Sequence, residues 1–314
     1  MRLACAALFC ALASTSAMAD DSSAALGMGG LQFTKAPGIR MAKEDLYLSP
    51  KAVRIRYEFA NDGSSDVDTR VAFPRPDIDT MEFSNSPIGT VGNDPVNFVN
   101  FTAKSDGKPV PVKVEQRAFV GNRDVTDQVK AAGIPVNIVI GDGYEKLSKL
   151  PAAKKRALEK AGLAEDGGSP DNEFPKWTVR TRFYWMQHFP AGRTAVLEHS
   201  YQPVTGQTFF GTYDLDPKSD SGRQWIKDSC MDAGTVATLR KMLARNNPND
   251  ANGGLLNIYS TDFILKTANN WKGGIGTLHL TLDKLKPDNV ISLCWDGPLK
   301  QTGPTTFEST VANL

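Results

Sequence analysis

Strict alternation of apolar and polar residues is the feature that most constrains the fold of this chain. Over residues 52–60 the sequence reads AVRIRYEFA, so that apolar and polar side chains fall on opposite faces. A period of two with β-branched and aromatic residues predicts a half-buried strand. Turn-forming residues occupy 61–66, and alternation resumes at Thr69, Val71 and Phe73 before Pro74 ends it. We predict a hairpin with one solvated face, which is typical of an antiparallel sheet.

Similar patterns recur along the chain. Residues 98–103 and 110–119 predict a second hairpin across 105–108, and residues 176–185 predict a strand that returns through 194–201 after a turn at 190–192. Further strands are predicted over 256–259, 263–266, 276–282 and 290–293. The chain is therefore predicted to be mostly β, built as one or more antiparallel β-sandwiches.

Helical patterns interrupt the strands in the middle of the chain. Short helices are predicted over 125–132 and 151–161, and we interpret 121–172 as a helical insertion. One further helix is predicted over 235–244 from its apolar stripe. The expected organisation is then 20–120 as an N-terminal β-sandwich domain, 121–172 as the insertion, and 173–314 as a C-terminal β-rich domain.

The first residues predict export. A basic start at Arg2, an apolar run over 3–12 and the small residues Ala17 and Ala19 form the pattern of a signal peptide, 1–19, cleaved after Ala19. We expect the periplasm as the compartment, with the cell exterior as the alternative. No later apolar run approaches the ~20 residues of a membrane helix, so no transmembrane segment is predicted in the mature chain.

Two cysteines remain after the signal peptide, Cys230 and Cys294. In an exported protein two cysteines most simply form one disulfide, and two buried free thiols are the alternative. Two distant thiols supply too few ligands for zinc, so no metal site is predicted from them.

The overall charge disfavours a nucleic-acid partner. The chain has 36 basic and 35 acidic residues, without the basic excess that phosphate binding requires. No Walker-type or dinucleotide-binding glycine motif, nucleophile elbow or H-E-x-x-H motif is present in the sequence, so no cofactor and no catalytic residue are assigned.

The three histidines do not predict a metal site. In the predicted hairpin, His188 and His199 lie about five residues apart along the sheet, or ~17 Å. His199 is expected in the core, and His279 is expected to face solvent because it alternates with leucines.

One surface patch is a candidate binding face. Arg180, Arg182 and Tyr184 share the polar face of their predicted strand, with Glu198 expected opposite them. Such a patch could stack on sugar or peptide, and a polar sheet face with cross-strand charge pairs is the alternative.

Short blocks spread along nearly the whole mature chain form one ordered set: 29–31, 39–41, 44–49, 53–61, 71–74, 199–206, 270–271, 292–294 and 304–308. Together these blocks resemble an exported bacterial family, domain of unknown function 4424. More loosely, the first hairpin followed by Asp106-Gly107-Lys108-Pro109-Val110 resembles the first β-sandwich of the vault/inter-α-trypsin type. This looser resemblance implies a β-sandwich with an interaction role. The resemblance to the family supplies no catalytic residues.

Two functions are consistent with these observations. The first is a non-enzymatic envelope protein that binds another protein or a glycan. The second is a hydrolase acting on envelope polymer through paired carboxylates, with Glu44-Asp45 as one source of such a group. Two carboxylates within ~10 Å in a deep cleft would favour the hydrolase.

Overall fold

A computed structural model describes residues 21–27, 30–36, 38–85, 88–89, 92, 94–168, 173–246, 254–260, 263 and 265–314. The signal peptide predicted over 1–19 lies outside the described residues. No helix in the described ranges has both the length and the apolar character needed to cross a membrane.

The chain is mostly β, as predicted. The strands in chain order are β1 Ser22–Gly27, β2 Gly30–Phe33, β3 Ile39–Leu48, β4 Val53–Asn61, β5 Val67–Pro74, β6 Ile78–Asp79, β7 Ile88–Gly89, β8 Thr102–Ser105, β9 Lys108–Pro109, β10 Lys113–Val120, β11 Arg123–Asp124, β12 Ala164–Asp166, β13 Glu173–Pro175, β14 Thr178–Phe189, β15 Thr194–Tyr201, β16 Thr205–Phe210, β17 Leu256–Ser260, β18 Ile275–Asp283, β19 Lys300–Gln301 and β20 Thr306–Ala312. The α-helices are α1 Thr80–Asn85, α2 Thr126–Ala132, α3 Gly143–Ser148, α4 Ala152–Lys160, α5 Asp220–Asp228 and α6 Ala233–Asn246, and 3-10 helices cover Thr212–Leu215 and Lys266–Asn270.

Two large sheets carry the fold. The eight-stranded sheet has the order β19-β20-β18-β3-β4-β15-β8-β9, and the seven-stranded sheet has the order β11-β10-β14-β5-β1-β2 with β6 paired to β14. The pair β3 and β18 is parallel, and the other pairs in these two sheets are antiparallel. Smaller sheets join β12 with β13, and β17 with β16 and β7.

The two large sheets pack against each other as a β-sandwich, with aromatic rings from both sheets in edge-to-face contact. Phe59 on β4 lies 5.7 Å from Phe189 on β14, and Phe73 on β5 lies 5.4 Å from His199 on β15, measured between ring centroids. Trp185 on β14 also approaches the His199 ring at 5.1 Å. These side chains are buried because alternation points them inward from each sheet.

Two of the three predicted hairpins are wrong in their pairing, and the hairpin predicted across 105–108 forms only in part, as a short pair of strands on either side of that turn. β4 and β5 belong to different sheets, as do β14 and β15, and β8 pairs with β9 and β15 instead of with β10. The turns predicted at 61–66 and 190–192 are connections that cross the sandwich, whereas the turn predicted at 105–108 joins β8 to β9 within one sheet. Alternation identifies one buried face of a strand, but it is equally satisfied by a strand in either sheet.

The helices predicted in the middle of the chain form as α2 and α4, with α3 between them. They pack on the sandwich, since Val129, Leu147 and Leu158 belong to its apolar core and the Trp177 indole donates to the Val136 carbonyl at 2.8 Å. Strands from 20–120 and from 173–314 share both large sheets. That the chain divides at residues 120 and 172 into parts that fold independently stays a prediction.

A smaller unit lies beside the sandwich. α5, α6, β16 and β17 surround a separate apolar cluster of Phe210, Leu215, Leu239 and Leu243. α6 confirms the helix predicted near 235–244. The strand predicted over 290–293 is wrong, because residues 284–299 form an irregular connection between β18 and β19.

The predicted disulfide is confirmed. Cys230, just after α5, is bonded to Cys294 in that irregular connection, with a Cα–Cα distance of 5.2 Å. It covalently joins the smaller unit to a segment whose Leu293 and Trp295 pack on the sandwich core.

Candidate functional site

The outer face of the eight-stranded sheet contains a depression of about 340 Å³. Its lining comes from β18, β3, β4, β15 and β8, whose inward residues fill the sandwich core and whose outward residues are polar. On β4, for example, Val53, Ile55 and Tyr57 are buried while Arg54 and Arg56 point outward. Five adjacent strands therefore present a continuous polar surface.

Charges alternate in sign across this surface. Strand register places Asp45 opposite both His279 and Arg56, and it places Glu198 opposite both Arg56 and Lys104. We refer to these five residues as the charge row, which in spatial order is His279, Asp45, Arg56, Glu198 and Lys104. The row crosses β18, β3, β4, β15 and β8 inside the depression.

Arg56 organises the middle of the charge row. Its Nη1 lies 2.6 Å from Glu58 Oε1 and 3.8 Å from Asp45 Oδ2. The hydrogen bond with Glu58 raises the pKa of Arg56. Burial acts in the opposite direction, and the charges of Asp45 and Glu198 add to the increase. Asp45 also pairs with Lys43 Nζ at 2.8 Å, and His279 Nδ1 lies 3.7 Å from Asp45 Oδ1.

A second row of side chains lies next to the charge row. Tyr47, Arg54, Ser200 and Thr102 are in register on β3, β4, β15 and β8. The Arg54 Cζ stands 3.7 Å from the centroid of the Tyr47 ring, and the Tyr47 hydroxyl donates to Asp283 Oδ2 at 2.8 Å. Burial by itself would raise the pKa of Asp283, but hydrogen bonds from the Leu285 amide and the Tyr47 hydroxyl lower it below its usual value.

The depression brings two carboxylates onto one face. Asp45 and Glu198 are two strands apart in the charge row, which corresponds to ~10 Å at the usual strand spacing. The neighbouring Glu44 is fully buried and faces the opposite side of the sheet from Asp45. Arg56 lies between Asp45 and Glu198 and places a positive charge beside both carboxylates. The general acid of a glycosidase, in contrast, must hold a proton that it can donate to the glycosidic oxygen.

The binding face predicted from the sequence is only partly brought together. Arg180, Arg182 and Tyr184 lie on β14 in the seven-stranded sheet. Glu198 lies in the other sheet, so its predicted position opposite them is wrong. The reason is that the chain crosses between the sheets at residues 190–193, which separates two strands that are neighbours in sequence.

The two arginines of that face are engaged in contacts within the chain. Arg182 donates to the Leu31 carbonyl at 2.7 Å and to Glu115 Oε2 at 3.1 Å. Arg180 donates to Asp77 at 3.0 Å and stands 4.0 Å over the Phe119 ring. Tyr184 lies 5.9 Å below Arg70. Binding by this face stays a prediction.

The histidines occupy three different environments. His199 is buried as expected, and burial lowers its pKa to about 3. Its Nε2 lies 3.5 Å from Asp21 Oδ2, and both side chains are inaccessible to solvent. His188 is exposed beside Asp68, and His279 is partly exposed. Within the described residues, no three His, Cys, Asp or Glu side chains gather as a metal site.

Sequence reasoning missed most of the depression. Alternation alone would have placed Arg54 and Arg56 on an outward face. The pairing of β3 with β18 joins residues more than 200 positions apart, as the hydrogen bond between Tyr47 and Asp283 illustrates with a separation of 236. No local pattern encodes that register.

Comparisons with known proteins identify a family. One solved structure is similar over 95% of this chain and 67% of its own, with a TM-score of 0.43 and 12% sequence identity; it is a protein of Legionella pneumophila subsp. pneumophila str. Philadelphia 1 described as a "putative nutrient binding protein". No curated protein matches the chain. Residues 19–314 match the family described as domain of unknown function (DUF4424), which bears out the family resemblance seen in the sequence. The chain belongs to the DUF4424 family.

Proposed function

We propose that the chain is a non-enzymatic binding module of the cell envelope, and that it holds a polar glycan on the outer face of the eight-stranded sheet. The observation that carries this proposal is the depression crossed by the charge row. Its volume of about 340 Å³ is within the ~300–1,000 Å³ range of ligand sites.

The composition of the depression favours a glycan over a protein partner. Protein interfaces concentrate their affinity in large apolar or aromatic anchors that become fully desolvated. The apolar residues beneath this depression, Leu46 and Ile55, are already buried in the sandwich core. Its exposed groups are charged side chains and hydroxyls, which suit the hydroxyls of a sugar.

An envelope location is part of the proposal. A disulfide between Cys230 and Cys294 is typical of an oxidising compartment. Together with the signal peptide expected over 1–19, this favours export to the periplasm. The proposed ligand is accordingly a glycan of the envelope.

The test is site-specific photo-crosslinking in the native envelope. A photo-reactive amino acid would replace Thr102, which is exposed in the depression, and a control would replace His188, which is exposed on the seven-stranded sheet. We expect a glycan adduct from position 102 and none from position 188. A stoichiometric protein adduct at 102 would instead identify a protein partner, and equal adducts at both positions would refute a defined site.

The Tyr184 face supplies a second comparison. Tyr184→Ala and Arg54→Ala would be measured side by side for retention on the captured glycan. If the binding surface is the depression, only Arg54→Ala weakens retention. Loss of retention with Tyr184→Ala alone would move the site to Arg180, Arg182 and Tyr184.

A hydrolase is the second candidate, because Asp45 and Glu198 share the charge row. Incubation of the captured glycan with wild type, Asp45→Asn and Glu198→Gln distinguishes the two functions. A binding module leaves the glycan intact with all three proteins. Cleavage by wild type that is lost in both variants would establish the hydrolase instead.

A further inference from the structure

Arg54 differs from the other cations of the depression in how it is held. Its guanidinium is stacked on the Tyr47 ring at 3.7 Å, and the Tyr47 hydroxyl is fixed by its 2.8 Å hydrogen bond to Asp283. Within the described part of the chain, no carboxylate oxygen forms an ion pair with Arg54 within 4 Å. The guanidinium is therefore oriented by stacking, and its charge helps to lower the pKa of Asp283 from beyond ion-pair distance.

Arg56, two residues along β4, is the contrasting case. Its guanidinium is occupied by Glu58 at 2.6 Å and approached by Asp45 at 3.8 Å. The two arginines are outward neighbours on one strand, yet only Arg56 has a carboxylate within hydrogen-bonding distance of its guanidinium among the described residues.

Other polar groups lie beside Arg54. Ser200 is directly opposite it on β15, and Thr102 is opposite Ser200 on β8, where the Thr102 hydroxyl donates a long 3.4 Å hydrogen bond to the Ser200 carbonyl. Lys104 follows on the same face of β8, where it is exposed and lies opposite Glu198. Strands are spaced by about 4.8 Å, so these groups line a strip about 10 Å wide that a single sugar residue could cover.

We infer that Arg54, Lys104, Ser200 and Thr102 form an oxyanion seat, which binds a carboxylate or phosphate group carried by the glycan. Arginine presents a planar fork of donors that matches both groups, and hydroxyls and an ammonium supply the remaining hydrogen bonds. The carboxylates that face the seat are Glu198, which lies between Arg56 and Lys104, and Asp283, which accepts from Tyr47. This inference rests on the proposed function and adds that the glycan is acidic.

The experiment is titration of the mature protein, followed by NMR, with three defined probes at constant ionic strength. Glucuronate presents a carboxylate on a sugar, inorganic phosphate presents the other anion, and glucose is the neutral control. We expect glucuronate or phosphate to shift the amide resonances of Thr102, Lys104 and Ser200 at millimolar concentration. Which of the two binds more tightly identifies the acidic group.

Two variants and a matched control localise the effect. Arg54→Ala removes the fork, and Lys104→Ala removes an exposed ammonium without touching the Tyr47 stack. Each is expected to weaken anion binding about tenfold, since a hydrogen bond to a charged group contributes ~1.5 kcal/mol or more. Arg70→Ala is the control, because Arg70 also stands over a tyrosine, Tyr184, on the other sheet.

The outcomes separate this inference from the proposed function. Anion-dependent shifts at the seat that Arg54→Ala and Lys104→Ala weaken, and that Arg70→Ala does not, support it. Shifts spread over exposed cations everywhere, or no shifts at all, overturn it. If glucose shifts the same resonances as strongly as glucuronate, the depression binds glycan but has no oxyanion seat.

Discussion

At the scale of single residues, His199 shows how burial sets chemistry. Its ring lies among Tyr57, Phe73, Phe101 and Trp185, with centroid distances of 5.1 to 5.4 Å. Burial disfavours the charged imidazolium and lowers the pKa of His199 to about 3, even with Asp21 Oδ2 3.5 Å from Nε2, so the ring is neutral at pH 7. Alternation on β15 predicted its burial, but its ring neighbours come from both sheets and follow from the packing.

His199 should make stability depend on pH. The folded pKa lies below the unfolded value of about 6.5, so the unfolded chain binds the proton first as pH falls. Stability is therefore fully present above pH ~6.5 and is lost toward pH ~3, at ~1.4 kcal/mol per pH unit. Urea unfolding of His199→Phe between pH ~7 and ~5 should lack this slope.

The control for this measurement is His188→Gln. His188 is half exposed beside Asp68, and its replacement should leave the wild-type slope intact. If His199→Phe kept the full slope, other groups would have to account for the acid sensitivity.

At the scale of elements, the strands could be predicted and their partners could not. β4, β14 and β15 lie where the alternation predicted them. Their pairing was mispredicted because a connection of four or five residues can fold a chain back within a sheet or carry it across the sandwich, and both outcomes bury the same face. α2, α4 and α6 were predicted closely since capping and apolar periodicity are local properties.

The start of α3 depends on a close backbone approach at Gly143. A Cβ added to Gly143 would overlap the main-chain carbonyl of Ile138, which cannot move like a flexible side chain. Gly143→Ala should therefore lower the free energy of unfolding by ~1–3 kcal/mol, as overpacking does. Chemical denaturation measures the change directly.

Gly38→Ala is the matched control, since among the described residues no atom outside Gly38 and its two chain neighbours lies within 4 Å of the added Cβ. This substitution should be neutral or stabilise by up to ~1 kcal/mol, because it restricts the unfolded chain. Equal destabilisation by both alanines would show that the Ile138 contact is not the cause.

At the scale of the whole molecule, the disulfide joins the smaller unit to the sandwich. Closing a loop with a sequence separation of 64 should stabilise by ~4 kcal/mol in the chain-entropy model. We expect the double variant Cys230→Ser/Cys294→Ser to exchange amide hydrogens faster in α5 and α6 than in β4 and β14. Uniform acceleration throughout the chain would mean that the two parts unfold together.

Each large sheet contains strands from both 20–120 and 173–314, and this arrangement allows a test of the predicted domain division. Residues 20–120 alone lack β14, β15 and β18, which pair with β5, β4 and β3. We expect this fragment to show little ordered structure by circular dichroism, since its unpaired edges and uncovered face would remain in water. Cooperative thermal unfolding of the fragment would instead establish it as an independent domain.

The sequence by itself determined the mostly-β class, the helices α2, α4 and α6, the disulfide partners and the inward or outward direction of most strand residues. These follow from local periodicity, turn chemistry and the small number of cysteines. The tertiary structure alone decided which strands pair, and thereby the depression: His279, Asp45, Arg56, Glu198 and Lys104 come from five strands spread between β3 and β18. Strand register is fixed by the summed packing of both sheets, a long-range property that no local window of sequence contains.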